Sequence, residues 1–473
     1  MFIAKDALFM SAYVDDYKMA GRKANVKPMW DKLIKEGLEL EPAVPCSQNT
    51  YLGCSQQELM PELKMVTAKR ELMTRLTSGK GKPDVSSAGG DDLLDPPATP
   101  KAKAKSKAKA KHGHSDARGA KIGAAANAGS VSFYSYEMFG HVEQTVDRYC
   151  ELAGKSRDSL KPVFTPCIDD HMIPAAEFDT KGELSPVAAR VVLKALYVAR
   201  IGRLDLMWAV NMLAREVTRW TAACDRRLHR LIAYMLHTKE HAQINFMGDA
   251  PADCTLAYFS DASFAGDLRD SKSTSGGILA LFGPNTFVPI SWLCKKQGAV
   301  SHSTSEAEVI ALDAGARLEG LPALALWDIV IDVFSPAQAK QRLCNISNKP
   351  NLTVSNTTIY DLFGSVDYVP PSLPITYGSA NLFLLEDNDA VIKMVVKQRS
   401  PQMRHVSRTH RVNLDWLFDR ISNDPGCFLK FVGTKEQLAD IFTKGSFTAE
   451  AWNVLLGLCQ VLPISQFKPK GPK

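Results

Sequence analysis

Apolar and polar positions follow two periods along this chain, and the switch between them outlines its organisation. Residues 1–65 look globular, with an apolar run from Leu8 to Val14 and a helical pattern from Met29 to Leu38. From 131 to 245 the pattern reads as helical. Ser185 and Pro186 open a helix running to about Ala199, Gly202 breaks it, and a second helix fits Leu204 to Thr218. Leu228, Leu231, Ile232, Met235 and Leu236 make a third stripe, with Arg226, Arg227 and Arg230 mostly off it, as a solvated face or as phosphate contacts. Beyond Asp253 the pattern turns to strands, predicted at Cys254–Ser260, Gly276–Phe282 and Phe287–Trp292. A helix opened by the capping box of Ser303 and Glu306 follows, to about Leu318. Further on come a strand at Leu382–Glu386, helices at Asp389–Lys397 and near Asn413–Ile421, a strand at Cys427–Val432 and a helix at Lys435–Thr443. That order predicts an α/β layered domain with a mixed sheet.

Two stretches fall outside any period. Residues 80–129 collapse into Gly, Ala, Ser, Pro, Asp and Lys, a composition that cannot bury enough apolar area to offset chain entropy. Residues 335–378 fill with Ser, Asn, Thr and Pro and read as an insertion excluded from the core. The resulting division is 1–65, a linker over 66–130, a helical segment over 131–249, an α/β domain over 250–450 and a basic tail over 451–473.

Composition narrows the class. With 45% apolar and 23% charged residues in a chain of 473, a wholly disordered or fibrous protein is excluded. The net charge of +6 equals the six lysines between Lys101 and Lys111, so the remaining charges cancel and say nothing about partners. That basic tract reads as a solvated spacer, with loose nucleic-acid contact or an import signal as alternatives. Ten cysteines without a C-x-x-C pair point to reduced thiols inside a cell, in cytoplasm or nucleus. No apolar run reaches the roughly 18 residues of a membrane span, and Lys5 and Asp6 interrupt the opening stretch as a signal-peptide core.

Four acids in the last domain occupy related places. Asp261 and Asp387 follow predicted strands, Glu308 lies near the start of the capped helix, and Asp440 stands off the apolar stripe of Leu438, Ile441 and Phe442. Singly, each has an ordinary reading: strand-end aspartates cap helices, and helix acids are solvated. Together at the edge of an α/β sheet they would repel one another unless divalent cations neutralised them. Oxygen ligands of this kind suit Mg²⁺ or Mn²⁺, and two ions roughly 3.5–4 Å apart suit phosphodiester cleavage.

The words around these acids are more specific. Tyr258-Phe259-Ser260-Asp261-Ala262-Ser263, Ser271-Lys272-Ser273-Thr274-Ser275-Gly276-Gly277, Ile290-Ser291-Trp292, Lys295-Lys296-Gln297 and Ser303-Thr304-Ser305-Glu306-Ala307-Glu308 occur in that order. Glu386-Asp387-Asn388, the run from Arg404 to Arg411, and Gln437-Leu438-Ala439-Asp440-Ile441-Phe442-Thr443-Lys444 continue it. The series resembles the ribonuclease H domain of copia-type retrotransposon Pol polyproteins. The resemblance implies a ribonuclease H-like mixed sheet with flanking helices and cleavage of the RNA strand of RNA–DNA hybrids. It also implies two Mg²⁺ or Mn²⁺ ions on Asp261, Glu308, Asp387 and Asp440. Glu308 is taken over Glu306 because the two apolar residues and Ala-Leu that follow it match the family's helix. Arg404, Arg408 and Arg411 are candidate phosphate contacts. The insertion at 335–378 and the stretch His405 to His410 depart from the family pattern.

Upstream, Tyr13-Val14-Asp15-Asp16 resembles the hairpin of a reverse transcriptase palm, which would make Asp15 and Asp16 metal ligands, and Tyr51-Leu52-Gly53 resembles a later palm word. Leu196-Tyr197, Arg203-Leu204-Asp205 and Ala209-Val210 resemble the thumb or connection region between polymerase and ribonuclease H. Because only about a dozen residues precede Tyr13, a truncated palm without polymerase activity is expected, unless other parts of the Pol polyprotein supply the missing walls. The alternative to a working nuclease is a non-catalytic, nucleic-acid-binding relic of a decayed element.

Overall fold

The computed structural model describes residues 2–4, 7–77, 131–267, 269–336, 378–398 and 400–471. The linker expected over 80–129, and all but the ends of the insertion expected over 335–378, lie outside the described residues. The N-terminal part comprises β1 (Phe2–Ala4), β2 (Leu8–Tyr13), β3 (Asp16–Gly21), α1 (Lys23–Lys35), β4 (Thr50–Tyr51), β5 (Cys54–Leu59) and α2 (Leu63–Thr77). After the undescribed stretch come β6 (Ser132–Glu137), α3 (Phe139–Ala153), α4 (Ala188–Ile201), α5 (Met207–Ala214), α6 (Ala222–His237) and β7 (His241–Met247). The remainder contains β8 (Thr255–Ser263), β9 (Thr274–Gly283), β10 (Thr286–Lys296), α7 (Thr304–Gly315) and α8 (Leu321–Phe334). It continues with β11 (Leu382–Glu386), α9 (Asp389–Val396), α10 (Val406–Thr409), α11 (Leu414–Asn423), β12 (Cys427–Phe431), α12 (Ala449–Cys459) and β13 (Val461–Pro463).

One sheet runs through most of this material, in the order β12-β11-β8-β9-β10-β7-β6-β5-β4, with β13 on β7. It is mixed: β11 pairs parallel with β8 and β12, and the remaining pairs are antiparallel. The period of two sorts its residues onto two layers. Leu256, Tyr258, Leu382 and Leu384 pack in one core with Val309 and Leu312 of α7 and Val391 and Val395 of α9. Ala257, Phe259 and Leu385 belong to the other, with Leu72 of α2, Val192 of α4, Leu438 and Phe442. The protein is thus α/β, with helices on both faces of a mixed sheet.

Several expectations are corrected. The segment 131–245 is not all helix: Ser132–Glu137 and His241–Met247 are strands of the main sheet. The first sets Phe133 and Tyr134 side by side, which blurs its alternation, and the second is buried at every position from Ala242 to Phe246, where covering on both faces removes the clean apolar–polar alternation that marks a strand. The first strand of the last domain extends through Ser263 because β9 pairs with it as far as Ser263↔Thr274, so Asp261 lies inside the strand and not after it. The near-uniformly apolar run Leu321–Phe334 is a helix that no period announced. In place of a helix at Lys435–Thr443 there are short 3₁₀ turns, Thr434–Glu436 and Leu438–Phe442.

The sheet passes the boundary at 249/250 unbroken, because β10 pairs with β7 at Phe287↔Phe246. Residues 66–77, where the linker was expected to begin, are helical. Residues 451–473, read as a basic tail, include most of α12 and the strand β13 that pairs with β7. The arginines of α6 are not free: Arg226 is exposed, Arg227 and Arg230 are partly buried, and all three have partners. Arg226 pairs with Glu177 and Arg227 with Asp170, while Arg230 donates to the Thr165 carbonyl at 3.1 Å. Among the described residues all cysteines are free thiols, and no helix is long and apolar enough to cross a membrane.

Candidate metal centre

Parallel pairing is what joins two of the acids. β8 and β11 run in register from Leu256↔Leu382 to Phe259↔Leu385, and the same register carried two residues further places Asp261 beside Asp387. The third comes from α7, whose start is fixed by the Ser303 hydroxyl accepting the Glu306 N–H at 3.1 Å. Two residues on, the buried Glu308 accepts a hydrogen bond from the Ala262 N–H at the end of β8. One carboxylate oxygen from each of Asp261, Glu308 and Asp387 then lies within 4.8 Å of the others.

Asp440 borders this triad without joining it. Its segment is held to the sheet where Gln437 donates to the Ser260 carbonyl at 2.8 Å, and Thr443 donates its hydroxyl to Asp261. Gly276, paired with Asp261 across β8 and β9, leaves room for this approach: a Cβ there would overlap Thr443 and Phe442. The Lys444 ammonium stands 2.6 Å from the Asp440 carboxylate.

The electrostatics follow from crowding acids in a half-dry edge. Burial, then the charges of Asp261 and Asp387, push the Glu308 carboxyl up to about 9. Burial and Asp261 push Asp440 up to about 6, with Lys444 opposing the rise. Asp387 is raised by burial and by Asp261. For Lys444, burial works against the charged form, but Asp261, Asp440 and Asp387 outweigh it and raise its pKa. Sequence reasoning passed over Glu386 as a site residue. It is fully buried at the end of β11, its carboxyl pushed well above the usual range by burial and then by the charges of Glu308 and Asp387, and its Oε2 has no hydrogen-bond partner among the described residues. Thr443 and Lys444 were also passed over, although all three lie within the words that flagged the acids.

A group of three converging carboxylates, two of them (Glu308 and Asp387) with raised pKa values and with Glu308 Oε2 lacking a hydrogen-bond partner, fits a hard divalent cation. Asp15 and Asp16 flank an exposed hairpin turn between β2 and β3, where Val14 takes a left-handed conformation (φ 51°). Among the described residues they join no third ligand-type side chain. Arg404, Arg408 and Arg411 are exposed, and their side chains make no hydrogen bond or ion pair among the described residues.

The fold and this pocket define an α/β protein with a carboxylate site able to hold a metal. No family model matches the chain, and no solved structure does. Over 158 residues it is 33% identical to a retrovirus-related Pol polyprotein from transposon RE2 of Arabidopsis thaliana, covering 33% of this chain and 10% of that one. The Pol polyprotein from transposon RE1 of the same plant is 32% identical over 158 residues, again 10% of its length. The chain therefore spans about a tenth of these two relatives. It is also 33% identical over 127 residues to secreted RxLR effector protein 161 of Plasmopara viticola, covering 26% of this chain and 81% of that protein. By that coverage the chain belongs to the family of the Plasmopara protein. Its likeness to the two polyproteins marks it as derived from a retrotransposon Pol sequence.

Proposed function

We propose that this chain is a ribonuclease H that cleaves the RNA strand of RNA–DNA hybrids, with Mg²⁺ or Mn²⁺ as cofactor. The observation that carries the reading is the convergence of Asp261, Glu308 and Asp387 within 4.8 Å at the ends of two parallel strands. One ion would be held by this triad and a second shared with Asp440; when bound, the ions supply Lewis acidity at the scissile phosphate. Asp261 is fixed by the Thr443 hydroxyl, and Glu308 by the Ala262 N–H, so both ligands are oriented before a cation arrives. Lys444 holds Asp440 until an ion replaces its charge. Exposed Arg404, Arg408 and Arg411 would grip hybrid phosphates.

The test is cleavage of a labelled RNA–DNA hybrid by the full chain with Mg²⁺ or Mn²⁺. Product that vanishes with chelator and in Asp261→Asn supports the reading; an intact hybrid in both metals refutes it. A second reading, a nucleic-acid-binding relic without catalysis, draws on the Lys444 contact, which neutralises Asp440 with no cation present. Binding of hybrid without cleavage is its signature.

A further inference from the structure

We infer that Glu306 is a positioning residue that rivets the arginine-bearing segment 400–411 to the start of the helix carrying Glu308, and so sets where a hybrid's phosphates lie relative to the acid triad. The inference rests on the ribonuclease reading and extends it to substrate placement.

Glu306 occupies the capping-box position of α7, and its Oε2 accepts the His302 N–H at 3.0 Å. A helix cap of this kind is ordinarily exposed, yet Glu306 is 1% exposed. What covers it is the segment Arg404–Arg411. His405 Nε2 lies 3.2 Å from Glu306 Oε2, and His410 Nε2 lies 3.3 Å from Oε1, so each carboxylate oxygen meets one imidazole. The His302 ring stacks edge-on against His405, with centroids 5.0 Å apart. Of the two, the His405 contact is a hydrogen bond, whereas His410 Nε2 and Glu306 Oε1 are buried side by side without one.

The segment is also anchored by apolar contacts. Met403, Val406 and Val412 join the core of α9 and α11. Greasy contacts of this kind fix depth but tolerate sliding, whereas a directional carboxylate–imidazole hydrogen bond, here from His405 to Glu306, fixes register. Arg404 precedes the first histidine and Arg411 follows the second, in a left-handed conformation (φ 57°), while Arg408 stands between them. All three are exposed, with no partner among the described residues. Glu308, two residues beyond Glu306 on the same helix, ties this geometry to the reacting centre.

The test is hybrid binding by the full chain in chelator, read by fluorescence anisotropy across a salt series. Each phosphate contact contributes about 0.9 to the slope of log affinity against log salt. The triple variant Arg404→Ala, Arg408→Ala, Arg411→Ala is expected to lower the slope by about 2.7 if each arginine holds one phosphate. Glu306→Ala should lower it by a similar amount, and the quadruple variant no further. Glu306→Gln, which keeps the length and one acceptor, should recover part of the slope. His405→Ala, at a half-buried position, should lose part of it with the melting temperature unchanged, which guards against a folding defect in Glu306→Ala. Hybrid bound and cleaved by the wild type with the slope unchanged in Glu306→Ala and His405→Ala, or additive losses in the quadruple variant, overturns the rivet alone. A wild-type chain that binds no hybrid overturns the ribonuclease reading and the rivet with it.

Discussion

Titrating the protein with Mn²⁺ as a function of pH probes the acid cluster directly, because cation and protons compete for the same oxygens. With its carboxyl at about 9, Glu308 is protonated at neutral pH in the metal-free protein, whereas Asp440, at about 6, is mostly ionised. An ion entering at pH 7 must therefore displace about one proton, from Glu308. Two pH units below its pKa only about 1% of that carboxylate is ionised, so apparent affinity should rise about tenfold per pH unit from about 6.5 to 8.5 and flatten beyond 9. Calorimetry in two buffers of different ionisation enthalpy reads the proton count directly. Glu308→Gln should abolish the proton release and remove the slope, leaving a weaker site. Buffer-independent heats in the wild type, or an unchanged slope in Glu308→Gln, would mean that Glu308 does not meet the ion and that the pocket works otherwise than proposed.

Other outcomes follow from the same structure. Asp261→Asn should lower hybrid cleavage by about 100-fold or more while leaving the far-ultraviolet spectrum unchanged, since it removes charge from the triad but keeps the shape. In chelator, the raised carboxyls of Glu308, Asp387 and Asp440 contribute stability that is complete below the ordinary carboxylate range and lost as pH rises towards about 9. The melting temperature should accordingly fall across that window, less so in Glu308→Gln, and saturating Mg²⁺ should reverse the fall. Gly276→Ala should destabilise by about 1–3 kcal/mol in urea unfolding and reduce cleavage, because its methyl group displaces Phe442 and Thr443 from Asp261. Asp205→Ala should cost about 3–5 kcal/mol. It strands the 1%-exposed Arg203, whose guanidinium donates to both oxygens of Asp205 at 2.9 and 2.8 Å.

Local chemistry made much of this legible. The capping box announced α7, Asn413 caps α11 by accepting the Trp416 N–H, and the apolar run Leu382–Glu386 is the strand it was read as. The hairpin at Leu52-Gly53, both residues at positive φ, joins β4 to β5 within the word Tyr51-Leu52-Gly53, and Tyr13 pairs with Asp16 across the turn at Val14. What misled was environment: β7 lies inside the sheet buried on both faces, which erases alternation, and in β6 the adjacent Phe133 and Tyr134 blur it. The helix Leu321–Phe334 is apolar nearly all round and carries no stripe to read.

The acids themselves are a property of the sequence: their identities, and the words that contain them, single out Asp261, Glu308, Asp387 and Asp440 before any coordinate is known. Their relation belongs to tertiary structure. The parallel register of β8 and β11 seats Asp261 against Asp387, the Ala262 N–H draws in Glu308, and Asp440 stays at the rim on Lys444. Glu306 reads locally as a helix cap and becomes a link to two histidines about a hundred residues away only when the chain folds back. Propensity and capping act over a few residues and are written in the local sequence. Register between distant strands, and the burial that raises a carboxyl's pKa, depend on which surfaces meet, and no single segment encodes that.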